Sequence, residues 1–532
     1  MKLNSKLLSL LAFLPVLLAA CGGDSPPAPV PVTPPVVTPP EPPVVPPVTP
    51  PVNPPVTPPV QPTPSDPSKP DWFTLFGRCE HPRTGQQPNG MPYLDIQGTL
   101  NDELRWMHSY IDDGYLWYKE IPTNLNMADY KTPLDYFAVL KTPAVTASGR
   151  LKDRFHFSYP SEVWSAMSNE GVSLSYGITW SRTPTGVLPR VWVVAFVEPG
   201  SPAALAGARR GDTVVAVDGV SMQVTGAADL AVINAGLSPK TAGEAHNFVL
   251  ARGSASLPVT LTSARLALVP VQNVKVLETV RGKVGYLQFN DHNAVAESLL
   301  ADAFTGFQNA GVTDLILDMR YNGGGYVRLA AELAYMIAGP AATGDKVFET
   351  LQHNDKQKPT APQMFSSTAY GFVPSKLKSG TPLPSLGLRH VTILTTAGTC
   401  SASESVINGL RGIDVDVTLI GGTTCGKPYA FTPAPNCGTT YFAIETQGTN
   451  NKGFGDYADG FAPTCKAGDD VGHELGDVYE SSLAAALRYH VTGACPAIPL
   501  HSRSLNGLPL NGPLELERPE GKQISIRLHE GR

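Results

Sequence analysis

The chain has 532 residues, a length that accommodates three or four domains of about 150 residues each. Its hydrophobic content of 42% is ordinary, so globular cores fit over much of it. A formal net charge of −6 and a pI of about 6.0 exclude the basic surplus that nucleic-acid binders usually carry.

Residues 1–20 read as a targeting signal rather than as part of the fold. Lys2 and Lys6 supply a positive start, and Leu7 to Leu18 is an apolar run too short for a comfortable membrane span. The run ends in Leu18-Ala19-Ala20-Cys21, which resembles a bacterial lipobox, in which the cysteine is lipidated. Gly22 rather than Asp follows Cys21, and by the sorting rule of such lipoproteins this implies an outer-membrane destination. The expected location is therefore the bacterial cell envelope, lipid-anchored and facing the periplasm or the cell surface. An ordinary secretory signal that happens to carry a cysteine is the alternative.

Residues 21–70 hold the lipidated cysteine and a linker. The chain has 52 prolines, and the excess over ordinary usage is concentrated here, in repeats such as Val32-Thr33-Pro34-Pro35 and Val48-Thr49-Pro50-Pro51. The segment is nearly uncharged and lacks aromatics, so it has nothing with which to close a core. Extended polyproline II at about 3.1 Å per residue spans more than roughly 100 Å.

Residues 71–165 are expected to form a helical domain. A helical pattern begins at Leu100-Asn101-Asp102-Glu103-Leu104, with Asn101 or Asp102 as its cap. The Tyr115-Leu116-Trp117-Tyr118 cluster reads as core.

Residues 166–266 change character. A β-rich run over Val191–Val197 leads into Glu198-Pro199-Gly200-Ser201-Pro202-Ala203, a short helix with Ser201 as cap and Pro202 in its first position. Arg210-Gly211-Asp212-Thr213-Val214-Val215-Ala216-Val217-Asp218-Gly219 then gives a glycine turn, a strand and an Asp-Gly hairpin. The run resembles a PDZ domain of the bacterial protease type. The resemblance implies capture of peptide C-termini by strand addition, with a carboxylate loop at Tyr176, Gly177 and Ile178.

Residues 267–497 alternate strands and helices. Strands are expected at Lys283–Phe289, Thr313–Met319, His390–Thr396 and Val415–Ile420. Helices are expected at Ala294–Asn309, Val327–Ala338 and Ala402–Leu410. Such a series argues for an α/β layer with parallel strands. Residues 498–532 are a tail with turn residues and a strand signal over Gln523–Leu528; the sequence assigns it no function.

Setting Cys21 aside leaves Cys79, Cys400, Cys425, Cys437, Cys465 and Cys495, an even number suited to an oxidising compartment. Six cysteines allow 15 pairings. At least one bridge is expected among the four from Cys425 to Cys495. They lack CxxC spacing and the histidines are not clustered, so no metal site and no cofactor are expected.

Three stretches of the α/β region carry chemistry. In Gly398-Thr399-Cys400-Ser401-Ala402-Ser403-Glu404, Ser401 follows a strand and opens a helix whose free amides can stabilise negative charge. Serine is also a favoured helix cap, so this stretch alone reads better as a cap than as a nucleophile. In Gly421-Gly422-Thr423-Thr424-Cys425-Gly426-Lys427 a lysine leaves the end of the next strand. Neighbouring parallel strands end on one edge, so Lys427 can return to Ser401 and, if burial makes it neutral, serve as its base. Pro428 after the lysine argues against a phosphate loop, which needs Ser or Thr there. In Asp318-Met319-Arg320-Tyr321-Asn322-Gly323-Gly324-Gly325 the glycines allow close backbone approach, and the amides of Gly324 and Ala402 are candidates for an oxyanion hole.

Together, after a PDZ-like module, these stretches resemble the C-terminal processing peptidases, or tail-specific proteases. The resemblance covers most of residues 97–490. It implies a multidomain α+β protein: a helical N-terminal domain, a PDZ-like β-rich domain and an α/β catalytic core of ClpP/crotonase-like type. It implies a serine endopeptidase with Ser401 as nucleophile and Lys427 as base, acting on proteins or peptides captured by their C-termini. Three departures stand out. Met319 replaces the usual leucine, Gly323 the usual proline, and Phe431 stands where many members carry a glutamine that orients the lysine. His292, close to the first core strand, leaves a Ser–His pair open. Two other functions remain open from sequence: a non-catalytic lipoprotein adaptor for peptide C-termini, and a hydrolase of small esters.

Overall fold

Helix α1, Leu100–Gly114, starts where Thr99 turns extended. The Asp102 amide donates to the Thr99 hydroxyl at 3.2 Å, and the Asp102 carboxylate accepts the Thr99 amide at 2.9 Å. This capping box puts the cap at Thr99, ahead of the expected Asn101 or Asp102, and makes Asp102 its partner. The computed structural model describes residues 72–87, 90–497, 504–505, 508–509, 514–517 and 524–526. The targeting segment, Cys21 and the proline-rich linker lie outside the described residues. No helix among the described residues is long and apolar enough to cross a membrane.

The N-terminal region continues with α2, Pro133–Val139, capped by Thr132, and α3, Ser161–Asn169, which crosses the expected boundary at 165. It is helical as read, yet it does not close a core of its own. Leu104, Trp106, Met107, Tyr110 and Ile111 of α1 pack in one cluster with Tyr136, Phe137, Tyr429, Tyr441 and Ile444. Tyr115 belongs to that cluster and is buried, as the aromatic run suggested. A short strand, Phe157–Pro160, pairs with Thr439–Phe442, and a Cys79–Cys437 bridge ties the start of the region to the same place. One amphipathic helix and a two-turn partner offer too narrow an apolar stripe to be self-sufficient.

The next layer is a sheet with order β6-β5-β4-β3-β2. Its strands are β2 (Ile178–Arg182), β3 (Trp192–Val197), β4 (Thr213–Val217), β5 (Ala245–Arg252) and β6 (Ala255–Thr262). A separate pair, β1 (Val172–Ser175) with β7 (Ala264–Ala267), closes the module. Helix α4, Pro202–Leu205, begins where the Ala204 amide donates to the Ser201 hydroxyl. The hairpin after β4 turns at Asp218 and Gly219, both with positive φ, the geometry an Asp-Gly turn supplies. Helix α5, Ala227–Leu237, packs Ile233 and Leu237 onto Phe248 and Leu250 of β5.

The core sheet has order β8-β9-β10-β12-β13-β14. In chain order its elements are β8 (Val271–Thr279), β9 (Gly282–Phe289), α6 (Ala296–Ala310), β10 (Asp314–Asp318), β11 (Gly324–Tyr326), α7 (Val327–Thr343), β12 (His390–Thr395), α8 (Ala402–Gly412), β13 (Asp416–Gly421), β14 (Cys465–Lys466) and α9 (Ser481–Thr492). Strands β9, β10, β12, β13 and β14 are parallel, as the alternation of strands and helices predicts, while β11 stands outside this sheet. The outer strand β8 is antiparallel to β9, an edge that this alternation does not announce. Helices α6, α7 and α8 cover one face through Leu300, Phe304, Phe307, Leu333, Ile337, Val406 and Leu410. Helix α9 covers the other through Leu483 and Ala486.

A buried charge network joins the PDZ-like module to this sheet. Arg320 is ion-paired with Asp318 at 2.9 Å, Glu480 at 2.8 Å and Asp469 at 3.0 Å. Asp469 also meets Arg210 of the PDZ-like module at 2.5 Å and accepts the Tyr321 hydroxyl at 2.6 Å. Burial alone would raise the Asp469 pKa, but the two guanidinium groups hold it below the ordinary carboxylate range. Two further bridges, Cys400–Cys425 and Cys465–Cys495, complete the six cysteines. The tail contributes β15 (Glu515–Leu516), paired with β2, and β16 (Ile524–Ile526), paired with β11; the second falls inside the strand signal at Gln523–Leu528.

Candidate active site

Strand β12 ends at Thr395, and the chain must reverse into α8 within a few residues. Ser401 takes the corner at φ 63°, ψ −118°, a backbone state that non-glycine residues rarely hold. The turn is stitched to the 318–325 stretch. Thr399 Oγ1 donates to Met319 O at 2.9 Å, Cys400 N to Asn322 O at 3.1 Å and Ser403 Oγ to Asn322 O at 3.1 Å. The strained corner is thus over-determined by its neighbours, which is how such strain persists.

Glu404 joins the other loop. It is fully buried one turn into α8. One carboxylate oxygen accepts the amides of Ser401 (3.0 Å) and Lys427 (2.8 Å); the other accepts the Gly426 amide (2.8 Å) and the Thr424 hydroxyl (2.5 Å). Burial raises its pKa, and these four donors oppose the rise. The Cys400–Cys425 bridge links the same two loops beside it. Cys400, Glu404 and Cys425 present their ligand atoms within 4.8 Å of one another. With both sulfurs bonded to each other and the carboxylate engaged by four donors, the group acts as a clip rather than as a cation cage.

Lys427 is 1% exposed. Its Nζ lies 4.0 Å from the ring centroid of Phe431 and 5.1 Å from that of Phe155. Burial drives its pKa well below the ordinary lysine value, against the opposing pull of Asp153 and Glu404. Phe431, at the position where a glutamine was expected to orient the lysine, supplies a ring face instead. The backbone is fixed by Glu404 and the side chain by two aromatic rings.

Phe155 and Asp153 come from the N-terminal region, which sequence reasoning did not place at the site. Asp153 is buried, accepts the Tyr115 hydroxyl at 2.6 Å and the Phe155 amide at 3.0 Å, and lies 3.6 Å from His156 Nδ1. Burial would raise its pKa, but these partners hold it below the usual value. Arg154 Nη2 donates to Cys425 O at 2.7 Å. No local motif marks the stretch 153–155; the signal is three-dimensional.

The glycine turn stands against both loops, with one difference from expectation. The Gly324 amide donates to Asn322 Oδ1 at 2.9 Å, so here it is turned toward its own loop instead of toward an oxyanion. The reason is local: Asn322, held by Phe289 O through its amide nitrogen, presents its oxygen to the backbone amide two residues ahead. Ala402 is the first residue of α8, where amides have no partner within the helix. His292 is fully buried, and burial pushes its pKa down to about 4 despite a 3.0 Å hydrogen bond from Nδ1 to Asn322 Oδ1. It buttresses the glycine turn, its amide donating to Gly324 O and its carbonyl accepting from Tyr326 N.

The expected carboxylate loop lies between β1 and β2. Gly177 has φ 83°, and a Cβ there would stand 2.1 Å from Ser201 Cβ, so only glycine fits. Its amide donates to Ser175 Oγ at 3.1 Å, Tyr176 O accepts from Ala203 N, and Ile178 pairs with Val197. Tyr176 is a core residue whose hydroxyl donates to Gly236 O.

Sequence comparison agrees with this layout. The profile of peptidase family S41 matches residues 283–465, that of the peptidase S41 N-terminal domain residues 102–159, and that of a PDZ domain residues 193–233. The chain belongs to peptidase family S41. This S41 member is a serine peptidase. It is 28% identical over 366 residues to a chloroplastic C-terminal processing peptidase of Tetradesmus obliquus, covering 63% of this chain and 70% of that protein. It is 26% identical over 229 residues to a carboxyl-terminal-processing protease of Picosynechococcus, covering 43% of this chain and 49% of the relative. Among solved structures, a protein assigned to the S41 proteases in Bacteroides fragilis superimposes with a TM-score of 0.56 at 26% identity, covering 73% of this chain and 97% of that one.

Proposed function

We propose that this S41 peptidase is an endopeptidase that works through a Ser401–Lys427 pair on proteins captured by their C-termini. The observation that carries the reading is the Glu404 clamp. One buried carboxylate oxygen accepts the amides of both residues, from loops 26 positions apart in sequence, while burial drives Lys427 toward its neutral form. In this reading neutral Lys427 takes the proton of Ser401 as its Oγ attacks the scissile carbonyl carbon. The tetrahedral oxyanion is held by the Ala402 amide and by Gly324 N–H once that amide leaves Asn322. Lys427 then gives its proton to the leaving amine as the C–N bond breaks. Water hydrolyses the resulting Ser401 ester, again with Lys427 as base. Against His292 as base stands its bond to Asn322 and its burial beside the glycine turn.

The test uses purified protein with Ser401→Ala and Lys427→Ala, unfolded and C-terminally tagged substrates, and a serine-directed fluorophosphonate probe. Loss of cleavage in both variants with labelling of the parent at Ser401 is expected. Undiminished cleavage in either variant sinks the pair. We further propose attachment to a membrane through lipidated Cys21, on the sequence of residues 7–22 alone. Cys21→Ser is expected to move the protein from the membrane to the soluble fraction of expressing cells; an unchanged distribution rejects the anchor.

A further inference from the structure

We infer that the protein's own C-terminal segment occupies, in cis, the two strand edges along which a peptide substrate would be held. The inference deepens the endopeptidase reading and rests on it for what the second edge does.

The first edge is β2. It follows the glycine loop at Gly177 and is the outermost strand of the PDZ-like sheet proper, the place where an extended peptide adds to such a module. It is already filled. Glu515 and Leu516 pair antiparallel with Arg182 and Ser181, and the Glu517 amide continues the ladder to Trp180 O at 2.8 Å. The side chains fix the register. Arg182 is ion-paired with Glu517 and lies 3.9 Å from Glu515. Leu514 packs on Val191, Val193 and Val471, and Leu516 on Phe196, Tyr321 and Leu475. Tyr321 belongs to the glycine-turn stretch, so the segment touches both domains at once.

The second edge is β11. Ile524, Ser525 and Ile526 pair in parallel with Gly324, Gly325 and Tyr326. This strand also lies against α8, which opens at Ala402, and against the short strand Tyr429–Ala430, two residues past Lys427. The tail strand therefore pairs with the glycine-turn stretch and lies against the elements that follow the other two catalytic stretches. Two further features fit a site closed to substrate: Ser401 has no exposed surface, and the Gly324 amide is spent on Asn322.

Proteins commonly cover an exposed strand edge, but covering one edge does not require a second pairing along the glycine turn. A tethered segment acts at an effective concentration near the millimolar range, so it outcompetes a free peptide present at micromolar levels. The tail is then an intramolecular competitor, and substrate must displace it.

Three proteins decide the matter: the parent, a chain ending at Pro513, and the full chain with Glu515→Arg and Glu517→Arg, which turns the attraction to Arg182 into repulsion without deletion. Each is measured for kcat/KM on an unfolded protein substrate, for the rate of fluorophosphonate labelling, and for binding of a fluorescent decapeptide with a free C-terminal carboxylate. Shortening is expected to raise kcat/KM and labelling at least tenfold and to tighten decapeptide binding by a similar factor. The double charge reversal is expected to give part of each increase. A synthetic peptide of residues 514–532, added to the shortened chain, is expected to restore inhibition competitively. Equal rates and equal decapeptide binding in parent and double variant overturn the inference even if the shortened chain fails to fold. If no form cleaves or labels while decapeptide binding still tightens, the occupied edge stands and the endopeptidase reading fails.

Discussion

Lys427→Met is expected to abolish peptide hydrolysis and, at the same time, to make the folded protein more stable. Lys427 is 1% exposed between the rings of Phe155 and Phe431, and burial drives its pKa well below the ordinary lysine value. Between the lowered folded-state value and the ordinary lysine range, the unfolded chain therefore binds a proton that the folded chain does not. A folded-state pKa depressed below the unfolded value means that stability is reduced on the acid side and recovers as pH rises toward the ordinary lysine range. Methionine has a similar length, leaves the aromatic contacts in place and has nothing to ionise. A gain of about 1–4 kcal/mol at pH 7 is expected, in line with replacements of buried charged groups by apolar ones. Loss of the base should lower kcat/KM by at least about 10³-fold. Thermal unfolding of parent and variant at pH 7 and pH 10 reads the stability half: the gap must narrow at the higher pH. A variant less stable than the parent at pH 7, or a gap that ignores pH, contradicts the assignment of Lys427 as a desolvated amine.

Glu404→Gln is expected to be nearly as damaging to activity and, in the opposite sense, to cost stability. All four groups that face the carboxylate donate to it: the amides of Ser401, Gly426 and Lys427, which can only donate, and the hydroxyl of Thr424. A glutamine offers one oxygen and one NH2. Placed one way its NH2 faces the Ser401 and Lys427 amides, and placed the other way it faces the Gly426 amide, so in either case at least one buried N–H meets another donor. The expected cost is about 2–5 kcal/mol, the range for leaving buried polar groups unpaired. The Ser401 corner and the Lys427 backbone then lose their common anchor, and a displacement of about 1 Å is enough to lower kcat/KM about 10²-fold. Urea unfolding and steady-state kinetics on the same preparation test both halves. Stability within 0.5 kcal/mol of the parent together with kcat/KM within about twofold would show that Glu404 is not the clamp.

Much of the layout was legible because it is carried by short-range signals. The βαβα alternation in the core reads directly into parallel β9, β10, β12, β13 and β14, and Ser201-Pro202 into α4. The meeting of the Ser401 and Lys427 loops follows from spacing: consecutive parallel strands end on one edge, and both amides reach the same Glu404 oxygen. What escaped was non-local. Asp153 and Phe155 reach Lys427 from a region that shares its core with residues 400–444, and no periodicity reports that sharing. Glu404 stood in the nucleophile stretch without a role, because a glutamate at the third position of a helix also reads as half of a capping box. The Gly324 amide was assigned to an oxyanion on the strength of its glycines, whereas the competing acceptor is the side chain of Asn322 two residues earlier. Phe431 reads in the sequence as a missing orienting group, whereas in the fold its ring centroid lies 4.0 Å from the amine of Lys427.

The three bridges also set a topology of release. Cys79–Cys437 closes a covalent ring around 358 residues, within which lie the whole PDZ-like sheet, β9 to β13 and the Cys400–Cys425 bridge. A single cut anywhere in that ring opens it without freeing a fragment, since both new ends stay joined through the bridge. The Cys465–Cys495 loop behaves in the same way. Residues beyond Cys495 lie outside every loop. The tail that covers both strand edges is thus a part of the folded chain that one hydrolytic event can shed whole, whereas a cut inside either disulfide loop frees nothing on a non-reducing gel; only cuts ahead of Cys79 or between Cys437 and Cys465 would also divide the chain.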